Sequence, residues 1–426
     1  MNTRRVVITG SGLICGAGRN PAAVLEALGS GQSAIGPIEA WDTSGWPVRI
    51  AAEVRDYNAG ALTGDRKLLK YIRRTDVFGL YAADRAIEEA GFASYRAALD
   101  EAAAATFADS AGVFVGSGGG SFANQYDFLP LIAAAGGNLE SFGRELSATV
   151  NPMWLLRSLP NNVLGHVGIR HGLKGPNACV THHSVSGLLA LAEAAAALRA
   201  DECTRAVVVA HDASIEAQMA LYYHRAGLMS AQGLFAFDAR HDGSVMGEGA
   251  GALVLETETA ARERGASVLG EVLGSGNAGD ALGLLPVRED GDALARAIAS
   301  ALTNSGIGPG NIGMVIAHGN GTPNSDASEA RALRQVFGTD LPPVTGFKWS
   351  FGHLLAAAGM LEVVVALAAL RARIVPGMPT LGTAAPHCEG LNLSREARVP
   401  RSDLALVLSR GFGGTNAACV LRAAAP

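Results

Sequence analysis

The sequence predicts an α/β protein with buried sheets, because short apolar runs alternate with helical segments along the chain. Val6–Thr9 and Ala206–Ala210 have the length and β-branched or apolar content of buried strands, whereas Asp76–Ala90 and Leu361–Arg371 have helical spacing. Of the 426 residues, 49% are hydrophobic and 17% are charged, which provides enough apolar side chains for a large core.

Further elements follow the same alternation in chain order. Predicted strands are Gly112–Val115, Ala252–Leu255, Met314–Ala317 and Asp403–Leu408, and Pro286–Ser305 has helical spacing. No Pro- or Ser-rich linker divides the chain, so the best boundary is the charged stretch that follows the strand ending near residue 256. It predicts an N-terminal half of residues 1–256 and a C-terminal half of residues 257–426.

Net charge and cysteine content argue against several classes of function. A net charge of −5 disfavours general nucleic-acid binding. The five cysteines are scattered without CxxC pairs, which disfavours zinc sites and disulfide frameworks. The N-terminus passes directly into a strand-like run, and no stretch has the ~18 consecutive apolar residues of a membrane span. A soluble cytoplasmic protein is the expectation.

Two glycine-rich stretches after predicted strands, Gly10–Gly18 and Gly116–Ser121, resemble nucleotide-binding loops only in part. The first has Cys15 where a dinucleotide fingerprint needs its last glycine, and the second lacks the Lys-Ser/Thr pair of a phosphate loop. Both are better explained as tight turns.

The segment Gly175–Ala200 holds the first candidate for chemistry. It begins like a strand and continues from about Val185 as an alanine-leucine helix, which places Ser184 at a strand-to-helix turn. Unpaired N–H groups and the partial positive charge of a helix N-terminus favour an anion there, as in a nucleophile elbow. Taken alone, Ser184 is better explained as a helix N-cap.

Three later segments place further polar side chains at the ends of predicted elements. His318 follows the strand Met314–Ala317, Lys348 and His353 precede an apolar helix, and Phe412 lies in a glycine turn before the final strand. A single histidine in such a place is usually structural. Two histidines in glycine-bounded turns indicate a functional site.

These segments together resemble the β-ketoacyl-acyl-carrier-protein synthases, a family that includes fatty-acid elongating enzymes and polyketide ketosynthases. The resemblance rests on VVITGSGLICGAG, FDARHDGSVMGEGAGALVLE, HGNGTP, KWSFGH and GFGGTN, in order over nearly the whole chain. It implies a thiolase-like, five-layered αβαβα fold of two similar halves. It also implies acyltransferase activity without a metal or redox cofactor.

The resemblance also implies roles for particular residues. The family's nucleophilic cysteine falls eight residues after the proline of its Gly-Pro motif, and here that position is Ser184. The catalytic residues implied are Ser184, His318, His353, Lys348, Phe412 and Glu329. Lys348 would pair with Glu329, Asp326 would brace the loop of His318, and Phe412 would gate the acyl pocket and supply an oxyanion N–H together with Ser184.

Several positions depart from the family pattern and concern the substrate pocket. The substrate-binding residues implied are Asn320, Thr322, His183, Arg410 and Phe351. His182 and His183 stand where the family usually has small residues, and Asn320, Phe351 and Arg410 are further departures. Two histidines beside the serine favour a diverged natural site over an isolated exchange of cysteine for serine.

Serine in place of cysteine leaves three hypotheses open. A helix N-terminus can lower a thiol pKa enough to supply thiolate, but a hydroxyl needs a positioned base, and histidine is the usual one. The first hypothesis is a slower acyltransferase that forms an acyl-Ser184 ester. The second is a non-catalytic, chain-length-factor-like partner of an active ketosynthase. The third is a decarboxylase or acyl hydrolase.

The resemblance finally implies an acyl carrier protein as partner and a homodimer or a heterodimer with another ketosynthase. The family tends to dock its acidic carrier on basic residues near the stretch RKLLKYIRR, which here points to Lys70, Arg73 and Arg74. The same stretch is equally explained as a solvated helix face.

Overall fold

The computed structural model describes residues 4–119 and 128–425. The end of the predicted turn Gly116–Ser121 lies outside this range. Strands in the described residues, in chain order, are β1 (Val6–Cys15), β2 (Ile35–Pro37), β3 (Ile50–Ala52), β4 (Ala111–Ser117), β5 (Asn177–Val180), β6 (Arg205–Ala213), β7 (Glu248–Thr257), β8 (Gly270–Gly279), β9 (Met314–Ile316), β10 (Val344–Thr345), β11 (Leu404–Gly411) and β12 (Thr415–Ala423).

Within the described residues, helices pack both between the strands and outside them. They are α1 (Pro21–Gly29), α2 (Ala59–Thr63), α3 (Arg74–Glu89), α4 (Phe92–Ala97), α5 (Glu101–Asp109), α6 (Leu129–Ala135), α7 (Leu139–Thr149), α8 (Trp154–Ser158), α9 (Asn162–His171), α10 (Ser186–Arg199), α11 (Ala217–Arg225), α12 (Glu258–Glu263), α13 (Asp292–Ser305), α14 (Pro323–Phe337), α15 (Lys348–Phe351) and α16 (Ala358–Arg371). None of them is long and apolar enough to cross a membrane.

The strand order repeats between the two parts of the chain. Strands β1, β4, β5, β6 and β7 lie in the order β5-β4-β6-β7-β1, and strands β8 to β12 lie in the order β10-β9-β11-β12-β8. In each set the two strands at one end run antiparallel to their neighbours and the rest are parallel. The predicted thiolase-like duplication is therefore present, although no close sequence repeat reveals it. The boundary at residue 256 stays a prediction.

Helices separate and cover the two sets of strands to give five layers. The buried helices α10 and α16 contact each other and lie between the sets, with α10 against β4 and β6 and α16 against β7 and β11. Helix α3 covers β1, β6 and β7 on one outside, and α13 covers β8 and β12 on the other. Almost every residue of α16 is buried, so its apolar composition follows from its central place.

The first glycine-rich stretch is mostly strand. Gly10 and Gly12 lie inside β1, where a Cβ would stand 2.1 Å from a backbone carbonyl oxygen of α3 in each case. Absence of a side chain therefore lets the helix lie directly on the strand. The tight turn is confined to Cys15–Gly18, whose end residues exchange backbone hydrogen bonds.

The predicted helix Pro286–Ser305 is wrong over its first six residues. Helix α13 begins only at Asp292, because Gly291 has φ of +71° and the preceding residues form a loop. That loop lines the cavity described below. Strand β8 was not predicted, because its glycine-rich sequence GEVLGSGNAG lacks the apolar alternation of a strand.

Candidate active site

Ser184 lies in the short 3₁₀ segment His183–Val185, between β5 and α10, at the turn that the sequence predicts. Its side chain is only 1% exposed. The turn is fixed by Ser186, whose hydroxyl donates to the carbonyl of His183 at 2.6 Å and accepts from the N–H of His182 at 2.7 Å. The serine hydroxyl is therefore held at the N-terminal end of a buried helix, where negative charge is stabilised.

The neighbouring His183 contacts the serine and two aromatic side chains. Oγ of Ser184 lies 2.9 Å from Nδ1 of His183, and Nε2 lies 3.0 Å from the hydroxyl of Tyr223. The imidazole also stacks on Phe412, with 4.3 Å between ring centroids. Burial, followed by the nearby His182, lowers the pKa of His183 to about 4. At neutral pH this ring is uncharged, so one nitrogen can accept a proton.

His318 and His353 form a second pair, with their rings edge to face and 5.1 Å between centroids. The N–H of Arg410 donates to Nδ1 of His318 at 3.3 Å, and the N–H of Leu355 donates to Nδ1 of His353 at 3.1 Å. Since Nδ1 accepts in both rings, each neutral ring carries its proton on Nε2. Burial, followed by the charge of Lys348, lowers the pKa of both rings well below the usual value. The pair therefore presents two neutral Nε2–H donors.

The buried Lys348 pairs with Glu362 rather than with the predicted Glu329. Its Nζ lies 2.6 Å from Oε1 of Glu362 and also donates to the carbonyl of His318. Both oxygens of Glu329 are already used, because they accept the N–H groups of His318 and Gly319 at 2.7 and 2.9 Å. Glu362 thus pairs with the ammonium group, and Glu329 holds the backbone of the loop that carries His318.

The loop after β9 is braced by Asp326 at the start of α14, in agreement with the expectation. Its carboxylate accepts from the N–H of Gly321 at 3.3 Å and from the N–H of Phe237 at 2.7 Å. Within the loop, Oδ1 of Asn320 accepts from both the N–H and the hydroxyl of Thr322, at 3.0 and 2.8 Å. The amide of Asn320 and the hydroxyl of Thr322 are thereby fixed relative to each other.

Arg410 is a buried cation in the wall of the site. Its Nε donates to Asn416 at 2.8 Å, and its two other nitrogens donate to the carbonyl of Ser325 at 3.1 Å and to the hydroxyl of Ser328 at 3.2 Å. The carboxylate of Asp280 lies 3.9 Å away. Burial lowers the pKa of Arg410. These contacts hold the guanidinium in one orientation and make this wall polar.

A cavity of about 100 Å³ brings most of the predicted residues together. Predicted residues in its lining are Ser184, His183, His318, His353, Phe412, Asn320, Thr322 and Arg410. Gly411 keeps the backbone beside the serine open, because a Cβ there would stand 3.2 Å from the backbone nitrogen of Ser184. The oxyanion role of the Ser184 and Phe412 N–H groups stays a prediction.

The structure does not place Phe351 in this cavity. Its side chain is fully buried and its ring lies beside that of Phe347, 6.4 Å away between centroids. The short helix α15 directs Phe351 into the core, so its predicted substrate contact is wrong. Lys348 and Glu329 also lie outside the cavity lining. They act on the site through their hydrogen bonds to the backbone of His318.

The three predicted docking residues have different environments. Lys70 is exposed at the end of the 3₁₀ segment Leu68–Lys70, and Arg73 is partly buried. Arg74 is the first residue of α3; its Nε donates to Glu248 at 2.8 Å, and its guanidinium lies over the ring of Tyr57. Arg74 is thus ion-paired while its side chain stays one third exposed, at 33%, and its docking role stays a prediction.

Sequence analysis missed two residues of the site, Tyr223 and Glu362. Glu362 could have been found, because it is the single charged residue in the otherwise apolar stretch from Ala358 to Leu370. A lone acid at a buried helix position indicates a buried partner. Tyr223 gave no such signal, because the helix α11 that carries it contains two adjacent tyrosines and no distinctive spacing.

Comparisons with known proteins identify the family. The model of the β-ketoacyl synthase N-terminal domain matches residues 3–261, and that of the C-terminal domain matches residues 269–382. The chain is 32% identical to 3-oxoacyl-[acyl-carrier-protein] synthase 2 of Coxiella burnetii, over 99% of both chains. It is also 32% identical to the tetracenomycin polyketide synthase ketoacyl synthase beta subunit of Streptomyces glaucescens, over 98% of both. The chain therefore belongs to the β-ketoacyl synthase family.

Solved structures agree with this assignment. The ishigamide ketosynthase/chain length factor superposes with a TM-score of 0.88 at 27% identity, over 99% of this chain and all of the other. A β-ketoacyl synthase from Burkholderia phymatum STM815 gives a TM-score of 0.86 at 25% identity, with the same coverage. The fold class predicted from the sequence is confirmed, and the family places the chain among the condensing enzymes of fatty-acid and polyketide synthesis and their close relatives.

Proposed function

We propose that this chain transfers acyl groups from carrier-protein thioesters, with Ser184 as nucleophile and His183 as general base. The observation that carries the proposal is the 2.9 Å contact between Oγ of Ser184 and Nδ1 of His183 in the cavity that both residues line. A hydroxyl needs such a base because its own pKa is far too high for a helix N-terminus to ionise it.

The proposed acylation step uses the contact between Ser184 and His183. Oγ of Ser184 attacks the thioester carbonyl while its proton moves to Nδ1 of His183, and the oxyanion is bound by the N–H groups of Ser184 and Phe412. The C–S bond then breaks, and the leaving thiolate of the carrier arm takes the proton from Nδ1. The products are an acyl-Ser184 ester and a free carrier thiol.

The second half-reaction uses the His318–His353 pair. Their Nε2–H groups are donors at neutral pH, so they can polarise the thioester carbonyl of a carboxylated extender unit. Loss of carbon dioxide from the extender leaves a carbanion that attacks the ester carbonyl. The C–O bond to Ser184 breaks, and the departing Oγ takes a proton that solvent supplies through His183, because the original serine proton left with the carrier thiol. The product is a β-ketoacyl group on the carrier.

We expect this transfer to be slow. Burial lowers the pKa of His183 to about 4, so the protonated ring that acylation requires is unfavourable. The group hydrogen-bonded to Nε2 is the neutral hydroxyl of Tyr223, whereas a serine-histidine-aspartate triad has a carboxylate there. Burial raises the pKa of Tyr223, which keeps that hydroxyl neutral.

The test is intact-protein mass spectrometry after incubation with acyl-loaded carrier protein. The wild type is expected to gain the mass of one acyl group, and Ser184→Ala is expected to gain none. Ser184→Cys is the matched control, because a thiol at this helix N-terminus should be acylated faster without a base. A Ser184→Cys variant that is acylated while the wild type is not would overturn the serine nucleophile.

A second candidate, a non-catalytic partner of an active ketosynthase, is favoured by the weak basicity of His183. The similarity to a ketoacyl synthase beta subunit and to a ketosynthase/chain length factor agrees with it. Its test is co-expression with an active ketosynthase from the same source. A heterodimer in which only the other chain is acylated would support this candidate, whereas release of free acid would indicate a hydrolase.

We also propose an acidic acyl carrier protein as partner, docked near Lys70, Arg73 and Arg74. Lys70→Glu is expected to weaken carrier binding by about fivefold at low salt, and the loss should shrink as salt rises. The measurement is titration of fluorescent carrier at two salt concentrations. Arg371→Glu, at the exposed end of α16, is the matched charge reversal. Equal effects of the two substitutions would contradict docking at Lys70.

A further inference from the structure

Three rings meet beside the proposed nucleophile. His183 stacks on Phe412, and Tyr223 contacts both, with ring centroids 6.4 Å from His183 and 5.7 Å from Phe412. The hydroxyl of Tyr223 lies 3.0 Å from Nε2 of His183. The three side chains come from the 3₁₀ turn, from α11 and from the loop after β11, so the fold and not the local sequence brings them together.

We propose that Tyr223 is a positioning residue that determines which nitrogen of His183 is free to take the serine proton. This inference rests on the proposed function of Ser184. The hydroxyl of Tyr223 accepts the proton of Nε2–H, which leaves Nδ1 unprotonated and directed at Oγ of Ser184.

The direction of these hydrogen bonds follows from where the protons must lie during the reaction. When Oγ of Ser184 passes its proton to Nδ1, both nitrogens of His183 carry hydrogen and both need acceptors. The developing oxygen of Ser184 accepts from Nδ1. Among the described residues, the hydroxyl of Tyr223 is the group hydrogen-bonded to Nε2. The stacking of the ring on Phe412 at 4.3 Å limits its rotation, so Nε2 stays directed at the hydroxyl of Tyr223.

Removing the hydroxyl has a predictable consequence. In Tyr223→Phe the ring and its packing against Phe412 remain, but the buried Nε2–H of His183 loses its acceptor. The protonated ring is then less stable and the other tautomer, with hydrogen on Nδ1, becomes favoured. Both effects oppose proton transfer from Ser184.

The experiment measures modification of Ser184 by a fluorophosphonate, which forms an O–P bond with an activated serine and releases fluoride. This probe needs no carrier protein. Tyr223→Phe is expected to lower the rate about tenfold, the loss typical of a hydrogen bond to a charged group. Tyr222→Phe, which alters the neighbouring tyrosine that accepts from Gln218, is the matched control and should leave the rate unchanged.

A second background separates positioning from general support of the fold. In a Ser184→Cys background a thiolate reacts without a base, so Tyr223→Phe is expected to leave alkylation by iodoacetamide unchanged. An unchanged rate with Ser184 present, or an equal loss in both backgrounds, would overturn the proposal. Thermal unfolding of each variant verifies that it is folded.

The tautomer itself gives a readout that does not depend on serine reactivity. In ¹⁵N NMR of histidine-labelled wild-type protein, His183 is expected to show an unprotonated Nδ1 and a protonated Nε2, and Tyr223→Phe should reverse or mix them. Protonated Nδ1 in the wild type would refute the role of Tyr223. The expected tautomer together with a serine that never reacts would refute the serine nucleophile but not the role of Tyr223.

Discussion

Replacing His183 by glutamine is expected to slow acylation of Ser184 by about 10²–10⁴-fold, the usual contribution of a general base. Glutamine has a similar size and keeps a hydrogen-bonding group beside Oγ, but it cannot take the proton. Acylation rates follow from quenched-flow samples analysed by mass spectrometry. His182→Gln is the matched control, because that ring is exposed and makes no described contact with Oγ.

The same base gives a distinctive pH dependence. Burial lowers the pKa of His183 to about 4, so the inactive, protonated form exists only in acid, and the rate is expected to rise with pH through about 4 and then stay level. Between pH 5.5 and 7.5 the acylation rate of the wild type should therefore show no titration step that is absent from His183→Gln. A step near pH 6.5 that disappears in His183→Gln would contradict a buried, neutral His183.

The α/β class could be predicted from the sequence because its signals are local, whereas the five-layered fold was implied only by the family resemblance. Apolar spacing indicates the strand Ala206–Ala210 and the helix Leu361–Arg371. A change from a strand pattern to a helix pattern indicates the turn at Ser184. The glycine-rich strand β8 could not be predicted, because it forms through pairing with neighbouring strands. The loop 286–291 could not be predicted either, because it ends in the left-handed conformation of Gly291. The repeat of strand order is likewise a property of pairing and not of sequence.

The sequence predicts which residues form the site, but it does not predict which of them contact each other. Ser184, His318 and His353 follow from motif positions, and the structure brings all three to one cavity. The partner of Lys348 could not be predicted from the sequence. Glu329 already accepts hydrogen bonds from backbone N–H groups, and this leaves Glu362 to pair with the lysine. Tyr223 reaches the site only because α11 packs there.

The second large effect concerns stability. Replacing Lys348 by methionine is expected to cost about 3–5 kcal/mol of unfolding free energy, because the carboxyl group of Glu362 and the carbonyl of His318 lose their buried donor. Urea unfolding followed by circular dichroism at pH 7.5 measures the loss. The double variant Lys348→Met/Glu362→Leu is the matched control, because removing both charges avoids leaving one buried and unpaired. It should recover much of the loss.

The loss caused by Lys348→Met should depend on pH through Glu362. In the wild type, burial already raises the pKa of Glu362 to about 7 even though Lys348 opposes the shift. Without the ammonium group the folded-state pKa rises further above the unfolded value, so the folded variant binds a proton that the unfolded chain releases. Its stability is therefore greatest in acid and falls as pH rises, and the gap to the wild type should be smaller at pH 5.5 than at pH 8. A gap that stays constant over this range would show that Glu362 is not the group left unpaired, and that the cost of the substitution comes from packing around residue 348.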